Sequence, residues 1–250
     1  MRSQQKGFAM DENRKTATIT GWLFVATFVT SIAGLFLYGP VLDDARYIVG
    51  GGADTRIALG ALLEVFLIVT NVDTAVMLFP ILKRQSESSG IGYVSARLVE
   101  CTFIAIGIVT LLAVMTLGQD AADADAGSLV VAGRSLVAVH DWTFLLGPGF
   151  IVGIGNGLLL GYLMYKSELV PRGMAMFGII GGPLLCAAGI AVLFDVIEPG
   201  SAAQFLATIP EIIWEASLGI YLIVKGFRPS SPILAGEATP IAPVVVPELV

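Results

Sequence analysis

The chain has 250 residues, of which 56% are hydrophobic and only 14% charged, and its mean hydropathy is +0.84. A soluble domain carries about 25% charged residues, so the composition excludes a water-soluble monomer. A net charge of -6 and a pI near 4.8 offer no basic face to phosphates, which excludes nucleic acid as a partner.

Six apolar runs follow in chain order, at roughly 19–39, 57–82, 91–117, 136–165, 173–194 and 204–225. Each is long enough to cross a hydrocarbon core, and in lipid each must be a helix because unpaired backbone groups are too costly there. The predicted fold class is therefore all-α, an integral membrane bundle of six transmembrane helices in contact with the lipid bilayer. Residues 1–18 read as a polar cytoplasmic segment, 19–228 as the transmembrane domain, and 229–250 as a disordered Pro-rich cytoplasmic tail holding five of the twelve prolines. The first run is too long for a signal-peptide core and is expected to be retained. The segment 118–135 reads as an external loop.

Lysine and arginine set the orientation. Arg2, Lys6, Arg14, Lys15, Lys83, Arg84, Lys166, Arg172, Lys225 and Arg228 fall on one side, against Arg46, Arg56 and Arg134 on the other. The positive-inside rule then places both termini in the cytoplasm, in the inner (plasma) membrane. Trp22, Tyr93, Tyr165 and Tyr221 read as aromatic markers of the inner interface, and Tyr38 and Trp142 of the outer one.

Cys101 and Cys186 both fall inside apolar runs and read as small buried hydrophobes. Gly149, Gly153, Gly157 and Gly161 repeat at four-residue spacing, as do Gly178 and Gly182. Such stripes let helices approach closely, so spans four and five are expected to pack together, or one of them to serve an oligomer or membrane partner. Gly147-Pro148-Gly149 and Gly181-Gly182-Pro183 are expected to kink or break their helices. Ser201 with Gln204 reads as a helix cap ahead of Pro210.

The chemistry lies in charges within or beside the spans: Glu64, Asp73, Arg97, Glu100, Asp141, Glu211 and Glu215, with His140 beside them. A charge at the bilayer centre costs roughly 2.5–3.5 kcal/mol on insertion scales, so most of these must be paired, protonated, hydrated or near an interface. Arg97 is three residues from Glu100, and Asp73 reaches a similar depth on the antiparallel neighbour. An ion pair of Arg97 with Glu100 or Asp73 is expected. Glu64 and Asn71 share a helix face, as do Glu211 and Glu215. The candidate binding set is Glu64, Asn71, Arg97, Glu100, His140, Glu211 and Glu215, with Glu64, Glu215, His140 and Glu211 able to form a carboxylate-rich outer pocket. Glu211 and Asp141 also read as first-turn acids that suit a helix dipole.

One histidine excludes a bis-histidine haem, and no zinc-helix or serine-elbow motif occurs, so no catalytic residue, cofactor or metal is assigned. A carboxylate–histidine metal site is the weaker alternative.

Gly60-Ala-Leu-Leu-Glu64, Gly92-Tyr-Val-Ser-Ala-Arg97-Leu-Val-Glu100, His140-Asp-Trp-Thr-Phe-Leu-Leu-Gly-Pro-Gly149 and Leu222-Ile-Val-Lys-Gly-Phe227 carry a resemblance. Over roughly 14–229 the chain resembles a bacterial multi-pass membrane family catalogued as domain of unknown function 4386. The resemblance implies several hydrophobic spans and no particular activity. From the residues, the first functional reading is transport or sensing of a proton, ion or small solute through a buried carboxylate/Arg pocket. The alternatives are an accessory or scaffolding membrane subunit whose charges are structural and, behind both, an intramembrane enzyme with a carboxylate acid/base assisted by His140.

Overall fold

In the computed structural model the described residues are 2–44, 46–50, 54–120 and 125–235, with side chains described from residue 11. They form α1 (Arg2–Asp43), α2 (Tyr47–Gly50), α3 (Asp54–Leu82), α4 (Glu87–Gln119), α5 (Ala126–Phe144), π1 (Leu145–Ile151), π2 (Gly153–Leu160), α6 (Gly161–Ser167), α7 (Arg172–Leu193), α8 (Ala202–Val224) and α9 (Pro232–Ala235). No strand occurs among the described residues. Six helical stretches are long and apolar enough to cross a membrane: Asp11–Asp43, Asp54–Leu82, Glu87–Gln119, Ala126–Ser167, Arg172–Leu193 and Ala202–Val224.

The spans close a ring. α1 packs on α3, α3 on α4, and α4 on α5 and the two π segments; the π segments pack on α7, α7 on α8, and α8 back on α1. Apolar side chains cover the outside of this ring, among them Phe36, Val109, Val131 and Ile220. That is the face an apolar solvent requires, and it implies contact with the lipid bilayer. One core cluster is built on Phe24, Tyr93, Met164, Trp214 and Leu222. A second, around Tyr38, Ile48, Ile57 and Leu111, fills the end that holds α2.

Helix starts follow local side-chain chemistry. Ser86, Asp125 and Ser201 each occupy an N-cap and accept from the backbone N–H three residues on. At the last of these, Gln204 Oε1 also accepts from Gly200 N at 2.7 Å, tying the residue before the cap to the first turn. Near α2, Asp54 accepts from both the Tyr47 hydroxyl and Gln119 Nε2 at 2.8 Å, tying the start of α3 to the end of α4. Burial, then the bond to Asp54, pushes Tyr47 above the ordinary tyrosine range, which keeps its hydroxyl a donor.

Several expectations are corrected. The fourth span begins at Ala126, because the Asp125 cap starts the helix well before residue 136; residues 121–124 of the expected loop lie outside the described ones. Asp141 is thus deep in a helix and not in a first turn, and Glu211 likewise sits nine residues after Ala202. The Pro148 site does not break its helix. It widens it: Val152 N donates to Gly147 O, five residues back, in one of two π segments that run from Leu145 to Leu160 with a single residue between them. Proline supplies no N–H, so one rung of the ordinary ladder is missing at Pro148. α7 runs on through Pro183 without a break. Tyr38 and Tyr93 are fully buried and not interface markers. The tail is packed where it is described: Ser231 Oγ donates to Ser167 O at 2.6 Å, and Ile233 and Leu234 pack on the core. Its remainder, 236–250, lies outside the described residues.

The glycine stripe joins spans four and five within the chain. A Cβ on Gly157 would meet Gly182 Cα at 2.6 Å, and one on Gly161 would meet Ile179 N at 3.0 Å. On Gly153 and Gly182, Cβ atoms would run into each other's backbone carbonyl region. Gly178 is held off by the Trp214 indole instead, at 2.8 Å. Gly149 is the exception, since its nearest neighbours are Phe144 and Leu145 of its own span. Apart from Gly149, the stripe is thus occupied by contacts within the chain.

Candidate functional site

At the centre of the ring, four elements contribute polar side chains to one network. On α4, Arg97 and Glu100 lie one turn apart, and Arg97 NH1 donates to Glu100 Oε2 at 2.8 Å. From α3, Asn71 Nδ2 donates to the other oxygen, Glu100 Oε1, at 2.9 Å. From π2, Asn156 Oδ1 accepts from Arg97 NH2 at 3.2 Å, while its Nδ2 donates to Glu215 Oε1 of α8. Glu215 Oε1 is also 3.9 Å from Arg97 NH2. The guanidinium lies over the Phe24 ring at 5.8 Å and the Tyr93 ring at 5.9 Å, so aromatic faces flank a fully buried cation.

These residues share a depth. Arg97, Asn71 and Glu215 stand ten, eleven and nine residues from the ends of their helices on one side of the ring. At 1.5 Å per residue that is roughly 14–17 Å, close to the middle of a hydrocarbon core of about 30 Å. The side chains of Arg97 and Glu100 are 3% and 5% exposed.

The network is not saturated. Arg97 Nε, both carboxylate oxygens of Glu211 and the Tyr93 hydroxyl are buried without a hydrogen-bond partner. Such groups are rare and mark strain, a functional role or a missing ligand. Glu211 is 2% exposed, and its Oε2 lies 2.5 Å from where a Gly157 Cβ would stand. Trp214, between the two glutamates, donates its Nε1 to the backbone oxygen of Asn156 at 2.9 Å, which fixes α8 to the π segment.

Of the candidate residues, Asn71, Arg97, Glu100, Glu211 and Glu215 come together here. Glu64 and His140 do not. They form a second cluster, where Tyr38 donates its hydroxyl to Glu64 Oε2 at 3.0 Å and meets the His140 ring edge-on, with centroids 6.0 Å apart. A void of about 10 Å³ lies between Glu64, His140 and Thr143, about the room one water needs. The outer pocket expected from Glu64, Glu215, His140 and Glu211 is therefore split in two. Asp73 takes no part in the Arg97 pairing: two residues beyond Asn71 it has turned to the outward face, between the exposed Val69 and Val76. Among the described residues no group of three His, Cys, Asp or Glu side chains is placed to hold a metal. Cys101 and Cys186 are free thiols near the carbonyls of Ile68 and Phe150, at 3.7 and 3.6 Å.

Asn156 is the member that sequence reasoning misses. It lies inside the glycine stripe, where packing explains the run without it. The available signal is that Asn71 and Asn156 are the only asparagines within the six apolar runs.

The model of the family described as domain of unknown function (DUF4386) matches residues 19–226, which include every residue of both clusters. The chain belongs to that family. No curated protein and no solved structure matches it.

Proposed function

We propose that this DUF4386 protein transports or senses a proton, ion or small solute through the Arg97 network. It works in the plasma membrane with both termini on the cytoplasmic side. The observation that carries the reading is the charge balance at the centre of the ring. One guanidinium faces three carboxylates, Glu100, Glu211 and Glu215, with two of the carboxylate oxygens unpartnered. Buried charge without compensation is costly, so a group of this kind takes up a positive species or gives one away. A scaffold needs its charges matched, and this set is not. Gly153, Gly157, Gly161 and Gly182, which would favour a scaffold, are engaged in the contact of spans four and five.

For orientation, Lys83 and Arg84 join α3 to α4, Lys166 and Arg172 flank the turn from α6 to α7, and Lys225 and Arg228 follow α8. Arg14 donates to Ile223 O at 2.8 Å, which brings the start of the first span to the same end. This basic end is the cytoplasmic one by the positive-inside rule.

The test is thermal unfolding of the purified protein in detergent, at acid to alkaline pH and with Na⁺, K⁺, tetramethylammonium and glycine as probes, for wild type and Glu215→Gln. The reading expects a pH- or probe-dependent midpoint whose dependence changes in the variant. Midpoints that follow identical courses in the two proteins under every condition would overturn it.

A further inference from the structure

We infer that Glu211 is a proton-binding site, and that the positive species this bundle handles is a proton carried on the Glu211 carboxyl group. The inference rests on the proposed reading of the Arg97 network and names its ligand.

The Glu211 carboxyl and the backbone that carries it both pack against glycines. Gly157 stands against its Oε2, and a Cβ at Gly181 would meet Glu211 N at 2.7 Å. A larger residue at Gly157 would fill the space the carboxyl occupies, and one at Gly181 would push away the α8 backbone that carries it. Neither carboxyl oxygen finds a donor, although the side chain is only 2% exposed. An ionised carboxylate normally recruits two or more donors, because losing its hydration costs far more than losing that of a neutral group. Its neighbours Glu100 and Glu215 show this, each accepting from an asparagine and lying within 4 Å of Arg97. Glu211 makes no ion pair with Arg97, and the Asn156 amide that faces it is already given to Glu215, so the neutral acid is the form that fits.

The charged and titratable groups facing Glu211 are Glu215 on its own helix, Arg97 and Glu100 from α4, and Cys186 from α7; π2 contributes the neutral Asn156. Arg97 already serves Glu100 and Asn156. Glu211 and Glu215 are one turn apart on α8, the spacing at which two carboxylates repel when both are ionised. A proton on Glu211 removes that repulsion, and its release would load negative charge directly against the Glu215–Asn156–Arg97 chain. The site is thus able to convert protonation into a rearrangement of the network.

The test is infrared spectroscopy of the full-length protein in detergent, reading the carbonyl stretch of protonated carboxylic acids. At neutral pH, with or without Na⁺, wild type is expected to show such a band, which Glu211→Gln removes and Glu211→Asp retains at a shifted position. Glu211→Gln keeps the shape and the neutral charge, so its unfolding midpoint should equal or exceed that of wild type. Absence of the band, its survival in Glu211→Gln, or a band seen only when Na⁺ is withheld would each overturn the proton assignment. The spectrum is read at equilibrium. A band without any proton flux would therefore refute transport and leave the site standing, and flux without a band would do the reverse.

Discussion

Arg97 and Glu100 meet at 2.8 Å one turn apart on α4, both all but sealed from solvent. Their pairing is the keystone of the bundle's interior, since Asn71, Asn156 and Glu215 all reach it through one or the other. Removing one member of a buried pair typically costs about 3–5 kcal/mol, because the other charge is left uncompensated. Arg97→Gln is therefore expected to lower stability by about that amount in denaturant or thermal unfolding. Arg97→Lys should not rescue it, because a single ammonium cannot reproduce the fork that serves Glu100 and Asn156 together. The double variant Arg97→Gln, Glu100→Gln should be more stable than Arg97→Gln alone.

Asn156 uses both ends of its amide, and its backbone oxygen also takes the Trp214 indole. Asn156→Ala keeps that last bond and loses the side-chain bridge between α4 and α8. Leaving buried groups unsatisfied costs about 1–3 kcal/mol, which is the expected loss of stability. Asn156→Asp should do worse than Asn156→Ala, since it adds a fourth carboxylate to a site with one guanidinium.

Two glycines of the same stripe are expected to behave oppositely. Gly157→Ala would drive a methyl into the backbone of Gly182 and the Glu211 carboxylate, and should destabilise by about 1–3 kcal/mol. Gly149→Ala would meet its neighbours at 3.5 Å or more, an ordinary contact. It should be neutral, or stabilising by up to about 1 kcal/mol through lower backbone entropy in the unfolded chain. Unfolding midpoints of the two variants decide the matter.

Asp125 caps α5 from outside the apolar stretch. Its carboxylate accepts from the Ser128 backbone N–H and hydroxyl, and these bonds hold its pKa below the usual aspartate value. A group with a depressed folded pKa contributes stability above its unfolded pKa, and that contribution fades as pH falls through the folded value. The stability gap between wild type and Asp125→Asn should therefore be present at neutral pH and close in acid. A gap that widened on acidification would contradict the cap.

What the sequence made legible follows from which signals are local. Twenty-residue apolar runs reveal helices because lipid leaves no alternative, and the three-residue spacing of Arg97 and Glu100 places them on one face without tertiary knowledge. The partners across the ring were less legible. Glu215 and Glu64 can each be assigned a depth, but depth does not say which side chains turn inward together, so a pocket of Glu64, His140, Glu211 and Glu215 reads as one where Glu64 and His140 lie with Tyr38, apart from Glu211 and Glu215. Asp73 failed for the same reason. The π segments were legible only as a suspected interruption at Pro148, because a widened ladder and a broken one begin from the same missing N–H. Caps moved the boundaries: Asp125 begins span four ten residues early, and that shift alone takes Asp141 out of its supposed first turn.

Proton flux in vesicles tests the central claim most directly. The purified protein is reconstituted into liposomes holding a pH-sensitive dye, a potassium diffusion potential is imposed, and wild type is compared with Glu211→Gln and with protein-free vesicles. Acidification by wild type well above the empty-vesicle rate, abolished in Glu211→Gln, is the predicted result. A wild-type rate equal to that of empty vesicles, with a pH-independent unfolding midpoint, would contradict the account and leave the buried charges as structure alone.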